Sequence, residues 1–124
     1  MSKSIFISCV FEDAHRIETI KKWAVNNKLG DVAITQEVED KRHLGKEAVK
    51  SHIKPKIQGS SVVIVLIGND THNHDWIEAE VELANSFNKK IVCVRLPLTT
   101  GAVPKLLSKY HLVSFNPETI AREL

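Results

Sequence analysis

An α/β fold built on a parallel sheet is what this chain predicts, and three observations predict it. Short β-branched runs alternate along the sequence with longer stretches of helical periodicity. The most hydrophobic run, SVVIVLIG at 61–68, shows no in–out alternation, as befits a strand covered on both faces. A length of 124 residues suffices for one sizeable core and not for two, so residues 1–124 are expected to form a single domain.

Each element has its own justification. SIFISCV (4–10) is a compact apolar run read as a central strand. Residues 13–27 place Ile17, Ile20, Trp23 and Ala24 at helical spacing. Gly30 announces a second strand, DVAIT (31–35), and the polar stretch QEVEDKRHLG that follows lacks periodicity and reads as an exposed loop. Ala48, Val49, Ile53 and Ile57 mark the inner face of a helix over 46–58, which Pro55 is expected to kink or shorten. After the strand at 61–68 comes a helix over 75–87, with Asp75 as its N-cap. KIVCVRL (90–96) is a fourth strand. Pro97 and Pro104 bound an irregular connection, HLVSF (111–115) is a fifth strand, and a final helix over 117–124 starts with Pro117 at its first position.

Strands joined by helical crossovers give a three-layer, flavodoxin-like architecture: five parallel strands in the order 2-1-3-4-5 with helices on both faces. Ligands of such sheets bind beyond the carboxyl ends of the strands, where the winding direction reverses. That rule nominates two loops, CVFED after the first strand and GNDTHNHD after the third.

Composition narrows the partners. Hydrophobic residues make up 43% and charged residues 26%, and a net charge of +2 arises from well-mixed signs. Neither nucleic acid nor a membrane is expected as a partner. No run approaches a membrane span, and the N-terminal MSKSIFISCVFED meets acid too early for a signal peptide. Cys9 and Cys93 each sit inside an apolar run without metal or redox spacing, which fits reduced thiols and a cytoplasmic location. His72 and His74 in a polar loop are read as loop, and no metal is assigned.

One carboxylate breaks the pattern. With Trp76 at 0° and about 100° per residue, Glu78 and Glu82 fall near 200° and 240°, on the polar side of their helix. Glu80 falls at roughly 40°, in the middle of the arc set by Trp76, Ile77, Val81, Leu83, Ala84 and Phe87. An ionised carboxylate facing a dry interior costs several kcal/mol unless it is paired or given an opening. The cleft at the strand tips would supply an opening. An ion pair with a lysine, or bonds to helix-terminal amides, would supply the alternative.

IFISCVFED resembles the first box of TIR and TIR-like domains, and SVVIVLIGNDTHNHDWIEAEVELA is similar to their third strand and following helix, with an IG-x-x-T turn and then Trp-x-x-x-Glu. KKIVCVRL fits the fourth strand of the same fold, so the resemblance covers about residues 4–96. It is strongest to small prokaryotic TIR-like proteins, including the signal-producing TIR subunit of the Thoeris antiphage system. In catalytic members the glutamate four residues after the tryptophan is essential for cleaving NAD, and here that position is Glu80. The resemblance therefore implies an NAD glycohydrolase or ADP-ribosyl cyclase, with NAD as substrate rather than cofactor and a signalling nucleotide as product. It also implies that self-association or an activating partner completes the site.

Other residues follow with it. Ser8 and Cys9 end the first strand where substrate would lie, Phe11 offers a ring to stack, Asp13 matches an acidic position of the first box, and Trp76 would line the pocket. For Cys9, Phe11 and Trp76 plain packing is the competing reading, and for Asp13 it is an N-cap. Where many TIR enzymes carry arginines after the first strand, this chain has Val10 and Phe11. Phosphate contacts are then expected from the Lys41–Lys46 loop or from backbone amides.

A non-catalytic TIR-like interaction module, assembling through QEVEDKRHLG, is the principal alternative, and Glu80 argues against it. A phosphorylation receiver shares the fold, but Asp70 lies two residues past the apolar run and HLVSFNPE supplies no lysine. A cysteine phosphatase needs five residues between Cys and Arg, whereas six separate Cys9 from Arg16.

Overall fold

The structure, a computed structural model, describes residues 3–10, 13–34, 46–73 and 75–124, with side chains throughout these except at 46, 47, 49, 73 and 75. Phe11, the Lys41–Lys46 loop and the capping carboxylate of Asp75 lie outside the described set.

Among the described residues five strands and four helices follow in the order β1 (Lys3–Ser8), α1 (His15–Val25), β2 (Val32–Ile34), α2 (Lys46–Gln58), β3 (Val62–Ile67), α3 (Asp75–Ser86), β4 (Lys90–Arg95), β5 (Leu112–Ser114) and α4 (Pro117–Glu123). All strand pairs are parallel, in the order β2-β1-β3-β4-β5. The expected class and strand order are thus those observed.

Every residue of β3 is buried, because each face of the sheet carries its own core. On one face Phe6, Val63, Val65 and Ile67 pack with Ile53 and Ile57 of α2 and with Trp76, Ile77 and Val81 of α3. On the other, Ile5, Ile7, Ile64 and Leu66 pack with Ile17 and Ile20 of α1 and Ile120 of α4. Burying each such side chain stabilises the fold by about 1.5–3 kcal/mol. Among the described residues no helix is long and apolar enough to cross a membrane.

Helix ends obey local rules, in three places differently from expectation. Pro55 lies inside α2, which runs on to Gln58 undiminished. So near the end the missing N–H forfeits a single ladder bond. The cap position of α1 falls to Ala14, without a side-chain bond, rather than to Asp13. The connection after β4 is not wholly irregular, since it contains a 3₁₀ turn at Lys105–Leu107, and the connection after β3 contains another at Thr71–Asn73. Helix α4 begins as expected, with Pro117 in its first turn and Asn116 accepting from the N–H groups of Glu118 and Thr119.

Candidate active site

The site begins at the tip of β1. Parallel partners point to one face of a sheet, and Ser8 is in register with Val65, a member of the core under α2 and α3. Ser8 therefore faces those helices. It is 0% exposed, and among the described residues its Oγ has no hydrogen-bond partner. A buried hydroxyl in that condition costs about 1–3 kcal/mol.

Helix α3 brings the carboxylate. Trp76, Ile77, Val81, Leu83 and Ala84 are buried, as the apolar arc requires, Ala79 beside that arc is buried too, and Glu78 is exposed. Glu80 is 0% exposed, enclosed on the face that α3 turns to the core. Glu82 lies at the side of the helix and pairs across to Lys50 of α2 at 2.7 Å, which ties the two helices together.

The turn after β3 is fixed by short-range satisfaction of its backbone. The Gly68 N–H donates to Thr71 Oγ1 at 2.9 Å, and that hydroxyl lies 3.4 Å from the Leu66 carbonyl it donates to. Thr71 is fully buried while doing so. This explains the IG-x-x-T pattern physically: the threonine replaces backbone partners at the end of a strand. Gly68 is required for a second reason, because a Cβ there would land on the Asp13 carboxylate. From the other side, a Cβ on Gly101 would strike the carbonyl oxygens of Gly68 and Asn69. The segment after β4 is held across this turn by Thr100 N–H donating to Asn69 Oδ1 at 2.8 Å, while Thr99 Oγ1 lies 3.5 Å from the Ile67 carbonyl and donates within its own segment to the Leu96 carbonyl at 2.7 Å.

The structure thus gathers Ser8, Trp76 and Glu80 on one side of the sheet. Cys9 is separated from them, packed with Ile7, Leu66 and Leu96 in the core of the opposite face, which supports packing as its role. Trp76 is itself a core residue beside Phe6 and Val10. Asp13 is partly buried and reaches the turn after β3, so it joins the two loops nominated by the switch-point rule. Phe11 lies outside the described residues.

Two hollows open at the strand tips. One, about 650 Å³, lies between the start of α3 and the later connection, lined by Thr71, His72, Ile77, Glu78 and residues 102–106. The other, about 600 Å³, is formed at the ends of β4 and β5 around Arg95 and Phe115. Among the described residues, Glu80 is in neither lining. Sequence reasoning missed Arg95, Asn69 and Gly101, and only Gly68 and Thr71 carried a signal, through the turn motif. No group of three His, Cys, Asp or Glu that could hold a metal ion occurs among the described residues.

A sequence model of the TIR-like domain of the Thoeris protein ThsB matches residues 6–100 of this chain. No curated protein matches it.

Proposed function

Because the chain belongs to the TIR-like domain family of the Thoeris protein ThsB, we propose that it serves antiphage defence by cleaving the nicotinamide–ribose bond of NAD, with Glu80 at the reacting centre. The observation that carries this reading is a carboxylate at 0% exposure in the middle of an otherwise apolar helix face. Stability alone selects against such a placement, and ionisable groups in environments that perturb them are enriched at functional sites.

The chemistry suits one carboxylate. As the C1′–N bond breaks, its electron pair passes to the pyridinium ring, which leaves as neutral nicotinamide and needs no proton. Positive charge develops on C1′ and the ring oxygen, where Glu80 stabilises it, as carboxylates do in glycosidases. In this reading Ser8, on the same face with a buried hydroxyl that lacks a partner among the described residues, holds a ribose hydroxyl. Attack by water then gives ADP-ribose, and attack by an adenine nitrogen gives a cyclic product. Since Glu80 is enclosed, substrate reaches it only after its cover shifts. A requirement for self-association or an activating partner follows from that.

A second reading, a non-catalytic interaction module, draws support from that same enclosure and from the absence of Glu80 from the two tip cavities. Incubation with NAD, alone and with infected-cell extract, separates the two. The enzyme reading expects nicotinamide release that Glu80→Gln abolishes and Glu78→Gln retains, with both variants folded. Equal behaviour of the two variants would favour the module.

A further inference from the structure

We propose that the hollow at the tips of β4 and β5 is a binding site for a small organic oxyanion, a phosphate ester or carboxylate on an apolar body, with Arg95 as its anchor. Arg95 closes β4 and is in register with Ser114 of β5, so both side chains leave the sheet on one face. Its Nη1 is buried and, among the described residues, has no hydrogen-bond partner. Neither the Lys21–Glu18 pair nor the Lys50–Glu82 pair of the described residues involves it. A guanidinium cannot lower the cost of burial by losing its proton, and its planar fork matches an oxyanion in two places at once. An anion is the partner that this geometry lacks.

The walls specify the rest of the ligand. The hollow measures about 600 Å³, far more than an inorganic ion fills and within the range of small-molecule sites. Leu96, Leu98, Leu112 and Phe115 line it, Thr99 and Ser114 add hydroxyls, and no acidic side chain among the described residues does so. Arg16 stands 5.7 Å from the centre of the Phe115 ring, adding positive potential behind that wall. Leu98 is the lip: it holds φ at 62° and is 99% exposed. A branched side chain in that backbone region is strained, and strain of this kind gathers at ligand clamps. The site lies two strands away from β1 and makes no use of Glu80, so it stands independently of NAD cleavage.

The test is a titration of the whole chain with phenyl phosphate, benzoate and inorganic phosphate, followed by amide chemical shifts. Saturable shifts at Leu98, Ser114 and Phe115 with phenyl phosphate or benzoate are expected, the tighter of the two identifying the oxyanion, and inorganic phosphate should bind more weakly than either. Arg95→Met should weaken the tighter ligand roughly tenfold or more, because a charge-assisted fork is lost. Its thermal midpoint should equal or exceed that of the parent, since no internal partner is lost. Arg95→Lys, which keeps the charge without the fork, should fall between and serves if the methionine variant does not fold. Absence of shifts at those residues, or parental affinity in the Arg95 variants, overturns the proposal.

Discussion

The carboxylate of Asp13 occupies the space that a side chain on Gly68 would need. The loop leaving β1 and the turn leaving β3 therefore touch only because position 68 is bare. Gly68→Ala forces the partly buried Asp13 carboxylate to move off the turn, whose carbonyls Gly101 also closely approaches. Overpacking of this kind costs about 1–3 kcal/mol. Urea unfolding should show that loss, and the double variant Gly68→Ala/Asp13→Ala should recover much of it.

Ser8→Ala is expected to separate stability from activity. Its hydroxyl has no hydrogen-bond partner among the described residues, so its removal should leave the thermal midpoint equal or slightly higher. If the hydroxyl holds a ribose oxygen in the proposed reaction, kcat/KM for NAD should fall about tenfold. A fall in stability with unaltered turnover would assign Ser8 a purely structural role.

Lys50 and Glu82 join α2 to α3 with both side chains about one-third exposed. A double-mutant cycle with alanine at each position should give a coupling of about 0.5–1 kcal/mol, declining as salt is raised. A larger, salt-insensitive coupling would mean that the pair is less hydrated than its exposure indicates.

Burial raises the Cys93 thiol from 9.0 to about 11. Between those values the unfolded chain has released the proton and the folded one has not, so the folded state binds more protons and stability falls as pH rises. The contribution is complete below pH 9 and is lost by pH 11, on the order of 2 kcal/mol. Cys93→Ala should flatten that part of the stability profile, and the native thiol should resist alkylation at pH 8 until the protein unfolds.

Much of the architecture was legible because tertiary packing here reinforces local pattern. The VVIVLI run of β3 could only be a strand covered twice, and the arc on α3 follows from its periodicity. Glu80 stood out on the same ground, as a carboxylate where the arc demanded hydrocarbon. What escaped notice depends on contacts between distant segments. Asp13 looked like an N-cap because its partner across the sheet, Gly68, is fifty-five positions away along the chain. The turns that close α1 and α3 pass through Asn27 and Asn88, with φ of 60° and 57°. Each is followed by a lysine whose N–H returns to a carbonyl five residues earlier, a closure usually signalled by glycine. Arg95 gave no sign in the sequence, because a basic residue ending a strand is commonplace and only burial makes it unusual.

The sheet ends in two very short borders. Among the described residues β2 and β5 are three residues long, against six for each of β1, β3 and β4. At the β5 border so little backbone makes a poor template for a neighbour's strand, and runaway stacking into fibrils is disfavoured there. If copies self-associate as proposed, contacts between side chains rather than extension of the sheet at the β5 border would join them, a union that can be undone.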